Sequence, residues 1–238
     1  MKIESIHFWG DSIFKGIVFD EIRGRYVILK KSAARLIGEA LNLPIINNSL
    51  MGRTAPEGLD ALIQAQDSME NALVLIEYGG NDCDFDWAEI ANEPEREHLP
   101  KTTLEQFAKS LKETVDLVRR RGGLPIFCSL PPLDASRYFE WISRGLSKEG
   151  ILKYLGEVPA IFRWQRDYSD RVEQVARQEG CACLPLRDAF VTYTGDDDLM
   201  CIDGIHPNEQ GHVLMGKQAI NSFLKLNLGL QEHPAALT

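Results

Sequence analysis

The sequence has no apolar run near the roughly 20 residues that cross a bilayer, and its mean hydropathy is slightly negative, at −0.20. A membrane span is therefore not expected, and the protein reads as soluble. Its five cysteines, Cys83, Cys128, Cys181, Cys183 and Cys201, are odd in number and include no C-x-x-C pair. That fits reduced thiols better than a disulfide framework. Positive charge is also short: 26 Lys and Arg against 35 Asp and Glu leave a formal charge of −9. This argues against a nucleic-acid backbone or an anionic membrane as the main partner. The one basic cluster, "RRR" at 119–121, sits where a helix should end and suits the negative end of its dipole. There is no internal repeat and no low-complexity linker. The opening "MKIESIHFWG" lacks an apolar core followed by a small-residue cleavage site, so the expected location is cytoplasmic.

What is present is a chain of 238 residues, 44% hydrophobic and 26% charged, long enough to bury a substantial core as a single domain over 1–238. Of the short apolar segments at 5–9, 44–49, 72–78, 124–130 and 181–186, several are near-continuous rather than alternating, as strands buried on both faces should be. Helical patterns lie between them. Ala33, Leu36, Ile37, Ala40 and Leu41 form one apolar stripe after Ser32. Leu104, Phe107, Ala108, Leu111, Val115 and Val118 form another, opened by a capping-box pattern and stopped by Gly122-Gly123. Residues 159–179 and 209–226 suggest two more, the latter started by Asn208. Strands alternating with helices predict parallel pairing through right-handed crossovers, hence a three-layer α/β/α sandwich. Two excursions, 83–101 and the aromatic-rich 133–158, exceed what a minimal sandwich needs, and their Trp and Tyr content favours ordered lids near the active-site edge.

In open α/β sheets the ligand crevice lies beyond the carboxyl ends of the strands. The residues just after each predicted strand are Gly10-Asp11-Ser12, Asn48 to Gly52, Gly79-Gly80-Asn81-Asp82 and Pro131-Pro132, and "CIDGIHPNEQGH" follows near the C-terminus. Those parts suit acyl transfer. A serine hydroxyl needs an adjacent base, for which His206 is the candidate, and an imidazole needs an acceptor on its other nitrogen, which Asp203 could be. Backbone N–H groups of Ser12 and Gly52 and the side-chain amide of Asn81 could stabilise the developing oxyanion.

The four blocks "GDSIFKG", "NNSLMG", "GGND" and "DGIHPN" resemble those of the SGNH, or GDSL-type, hydrolases, over residues 7 to about 212. The resemblance implies a flavodoxin-like parallel sheet of five strands in the order 2-1-3-4-5, and ester hydrolysis without metal or cofactor. It also implies Ser12 as nucleophile, Asp203 and His206 as the rest of the triad, and Ser12, Gly52 and Asn81 as the oxyanion hole. Ile13 stands where the family usually has Leu, and "IVFDEIRGRYVILKK" after the serine is an insertion that could wall or extend the acyl pocket.

The expected activity is that of a serine esterase on small-molecule or carbohydrate esters, with acetyl and other short acyl groups favoured. A lysophospholipase or acyl-CoA thioesterase is the alternative, and a non-catalytic binding module the third reading. The aromatic-rich loops offer surface for a homo-oligomer. "DCDFDWAEIANE" mimics the acidic spacing of an EF-hand but has Trp87 where that loop needs Gly, so it reads as an acidic rim. His7 and His212 read as packed or surface residues, and His98 and His233 carry no local pattern.

Overall fold

The computed structural model describes residues 2–226; His233 and the ends of the expected 1–238 domain lie outside the described residues. Five parallel strands form the central sheet: β1 (Ser5–Gly10), β4 (Ile45–Asn47), β5 (Ala72–Glu77), β6 (Leu124–Cys128) and β7 (Ala182–Leu184). They lie side by side as β4-β1-β5-β6-β7. Counted within this sheet alone, that is the expected order 2-1-3-4-5.

β5 explains why the strands read as continuous apolar runs. Leu73 and Leu75 face one helical layer, Val74 and Ile76 face the other, and all four are fully buried. The first layer contains α2 (Ala33–Leu41) and α10 (Glu209–Lys225), and the second contains α3 (Ala55–Gln64), α5 (Leu104–Arg120) and α8 (Ala160–Gln178). The capping box at α5 forms as expected, with the Thr103 hydroxyl accepting from Gln106 N. Asn208 starts α10, its side chain accepting from Gly211 N. Cys181 and Cys183 pack against the second layer, and all five thiols are unpaired.

The insertion after Ser12 folds as an antiparallel hairpin, β2 (Ile17–Asp20) with β3 (Arg25–Ile28), outside the main sheet. The two excursions become helices: α4 (Trp87–Asn92) from the first, α6 (Ala135–Ile142) and α7 (Lys148–Leu155) from the second. They share a third hydrophobic cluster around Ile90, Tyr138, Phe139, Ile151 and Ile161. Asp84 joins them. Its carboxylate accepts from the Tyr138 hydroxyl at 2.6 Å, from Trp87 Nε1 at 2.8 Å and from Lys101 Nζ at 2.8 Å. The acidic string is thus a structural tie: Asp84 pins two excursions together, and Asp86 caps α4 by accepting from Ala88 N and Glu89 N.

Candidate active site

β1 ends at Gly10, and the chain turns at once into a short helix, α1 (Ser12–Lys15). Asp11 caps it, accepting from Ile13 N at 2.9 Å through Oδ1. Ser12 occupies the first helical position, where a backbone N–H has no partner within the helix. The turn that ends the strand therefore also presents the serine at the carboxyl edge of the sheet.

The imidazole arrives from the other end of the chain. Asp203 Oδ1 accepts from the backbone N–H groups of Ile205 and His206 at 3.0 and 3.1 Å, closing a tight turn. Gly204 inside it has φ +72°, and a Cβ there would meet the Asp134 carbonyl oxygen at 2.7 Å, so the turn and its seat on α6 both require glycine. This geometry aims His206 Nδ1 at Asp203 Oδ2, 2.7 Å away, and leaves Nε2 at 2.9 Å from Ser12 Oγ, 194 residues distant in sequence. Asp203 is 0% exposed, His206 4% and Ser12 6%. Burial by itself would raise the Asp203 carboxyl, but the hydrogen bond and charge of His206 and two backbone N–H donors hold it below its ordinary value. A hydroxyl, an imidazole and a carboxylate in hydrogen-bonded series can pass the serine proton to Nε2 while Asp203 stabilises the imidazolium.

Gly52 and Asn81 also reach this edge, after β4 and β5. Gly52 has φ +82°, and nothing lies within 4 Å of where a Cβ would stand, so its backbone faces open space. Asn81 Nδ2 donates to Asp11 Oδ2 at 2.9 Å and makes only a long 3.4 Å contact to the Arg53 carbonyl. One of its two amide hydrogens is thus anchored on Asp11, and the other is held only by the long contact to the Arg53 carbonyl. Four of the five expected site residues, Ser12, Gly52, Asn81 and His206, line one cavity, and Asp203 is buried behind His206.

That cavity has a volume of about 670 Å³. Beyond Ser12 its walls include Phe85, Trp87, Tyr138, Tyr154, Leu155 and Trp164, with Asp84, His98, Arg163 and Asp167 among the polar lining, all from the two excursions and the start of α8. Phe85 packs against Trp87, Tyr154 and Trp164 at centroid distances of 5.6, 6.0 and 5.6 Å, and Trp164 Nε1 donates to the Cys83 carbonyl at 2.8 Å. The hairpin supplies another wall. Tyr26 lies 5.1 Å from the His206 ring, Phe19 packs on Trp141 at 4.9 Å, and Phe19 N donates to Cys201 Sγ at 3.5 Å.

Sequence reasoning missed three contributors: Tyr26, the tie at Asp84, and Glu77, a buried carboxyl ending an otherwise apolar strand. Only Glu77 had a local signal, an acid closing the run "ALVLI". His212 is fully buried in α10, its Nδ1 accepting from Ala33 N at 3.3 Å, and burial drives it down to about 4, so it is a packed neutral residue.

Residues 8–214 match the GDSL-like lipase/acylhydrolase family. The esterase TesA of Pseudomonas aeruginosa is 27% identical over 201 residues, covering 83% of this chain and 77% of that protein. Among solved structures, a lipase/acylhydrolase from Enterococcus faecalis superposes with a TM-score of 0.65 at 18% identity, over 98% of this chain and 100% of that one. A carbohydrate acetylesterase from Sinorhizobium meliloti does so with a TM-score of 0.64 at 17% identity, over 94% and 99%.

Proposed function

The chain belongs to the GDSL-like lipase/acylhydrolase family and is an ester hydrolase, and we propose that Ser12, His206 and Asp203 are its catalytic triad. The observation that carries this is the unbroken series Ser12 Oγ, His206, Asp203, with links of 2.9 and 2.7 Å. Ser12 Oγ attacks the acyl carbon as its proton passes to His206 Nε2. The negative oxygen is met by the backbone N–H groups of Ser12 and Gly52 and by the Asn81 amide hydrogen that otherwise makes only the long contact to the Arg53 carbonyl. His206 then returns the proton to the leaving alcohol, and water, deprotonated by the same imidazole, releases the acid from Ser12. Every step uses groups of this chain.

The acyl group we assign is apolar and longer than acetyl. Acetyl was the favoured expectation, but a two-carbon acyl group fills little of a 670 Å³ cavity whose lining includes Phe85, Trp87, Tyr154 and Trp164. Pockets of roughly 300–1,000 Å³ take ligands of drug size, which supports the family alternative of a longer acyl chain. Five unpaired thiols suit a reducing compartment, in keeping with a cytoplasmic location.

The test is Ser12→Ala assayed on chromogenic acyl esters, together with intact-mass analysis after a fluorophosphonate probe. Loss of turnover, with a single adduct on wild type and none on the variant, is expected. Wild-type turnover by a folded S12A protein would end the assignment.

A further inference from the structure

Glu77 is 1% exposed, and no N–H or O–H of another residue reaches its Oε2. It ends β5, paired in register with Gly10 of β1. A Cβ at position 10 would lie 2.7 Å from the Glu77 carbonyl oxygen and 3.3 Å from Oε2, so the glycine before Asp11 makes the room this side chain occupies. The carboxyl it faces is Asp11, with which it is in hydrogen-bonding contact.

Asp11 already accepts from Ile13 N through Oδ1 and from Asn81 Nδ2 through Oδ2. Two carboxyls can be hydrogen-bonded only if one of them carries a proton. Asp11 has two donors aimed at it, Ile13 N and Asn81 Nδ2, whereas Glu77 has only the backbone N–H of Asp11 and an Oε2 that none reaches, so the proton belongs on Glu77. Burial and the adjacent Asp11 charge act in the same sense, holding the Glu77 carboxyl well above its ordinary range. The other groups around the pair are Asp82 beyond β5, whose charge opposes ionisation of Glu77, Tyr78 on the same strand, Cys128 on β6, and His206, whose charge favours an ionised Asp11.

We propose that Glu77 is a positioning residue, held as the neutral acid and donating its proton to Asp11, so that an ionised Asp11 fixes the Asn81 amide where the oxyanion forms. The ionised carboxylate of Asp11 is the stronger acceptor for Asn81, and the neutral acid beneath it keeps a second negative charge away from the developing one. The proposal rests on the assignment of Asn81 to the oxyanion hole. The location of the proton does not.

Infrared difference spectra of wild type against Glu77→Gln at pH 7 test the proton directly. The wild type should show a protonated-carboxyl C=O stretch that E77Q lacks, whatever the role of Ser12. Kinetics test the positioning: Glu77→Leu should lower kcat about 30- to 100-fold with KM within about threefold, the signature of a lost transition-state interaction. E77Q, whose amide can still donate to Asp11, should recover most of that loss. Adding E77L to Asn81→Ala should cost little more than N81A alone. Identical carboxyl spectra for wild type and E77Q would overturn the proposal, as would full activity in E77L or equal losses in E77L and E77Q. If E77L does not fold, the E77Q spectrum and kinetics decide.

Discussion

Lengthening the acyl chain of the substrate one methylene at a time probes the cavity directly. Each methylene moved from water into an apolar wall contributes at most about 0.8 kcal/mol, and about 1.4 kcal/mol is a factor of ten, so the ceiling is roughly fourfold in kcat/KM per carbon. Going from acetyl to hexanoyl adds four methylenes, hence at most about 3 kcal/mol, or roughly 200-fold. The cavity lining includes the apolar side chains Phe85, Trp87, Tyr138, Tyr154, Leu155 and Trp164, so hexanoyl should realise a good part of this. A chain half covered by the wall would still give about 15-fold. The assay is kcat/KM on p-nitrophenyl esters from acetyl to dodecanoyl, below their critical micelle concentrations. Ala160→Trp, at the start of α8 and on the cavity wall, should lower octanoyl turnover more than acetyl turnover and move the optimum to shorter chains. A wild-type profile that falls tenfold or more between acetyl and butyryl would refute the size argument and return the acetyl reading to first place.

Asp203→Asn should reduce kcat by on the order of 10³ to 10⁴ while leaving the fold intact, because Asn can still accept from Ile205 N and His206 N but no longer stabilises the imidazolium; steady-state kinetics beside a melting curve would separate the two. His212 carries an acid-stability prediction. Its folded value of about 4 lies below its ordinary 6.5, so its contribution is complete above pH 6.5 and disappears as the unfolded chain alone takes up a proton down to about pH 4. The loss is up to about 3 kcal/mol, read as a fall in the urea midpoint with acidification that His212→Gln flattens; parallel curves for the two proteins would contradict it. Gly58→Ala in α3 should destabilise by about 1–2 kcal/mol in urea unfolding, against the gain in helix propensity, because the new methyl would meet the buried Tyr78 ring and hydroxyl. A more stable G58A would show that the ring gives way freely.

What was legible in the sequence follows from how local each interaction is. The sheet could be read because both faces of β1, β5 and β6 are covered, and burial on two sides writes a continuous apolar run. Helix α3 went unread although Thr54 and Glu57 form its capping box, since its apolar stripe is short and broken by Gly58. Ser12, Asn81, Asp203 and His206 were legible because each sits in a turn whose chemistry is local: a cap at Asp11, an Asx-like closure at Asp203. What could not be read are the contacts that join segments. Asp11 to Asn81 spans 70 residues and Asp84 to Tyr138 spans 54, and neither pairing has a periodicity to announce it. That limit had a chemical consequence. The excursions could be recognised as aromatic and ordered, but the size of the space they enclose depends on Asp84 drawing Trp87 and Tyr138 together on the wall of the cavity that Ser12 lines. The turns that carry the site residues were therefore readable and the size of the cavity was not, because the first are set by side chains within a few residues of their own backbone supports and the second by the distance between two segments that meet only in the folded chain.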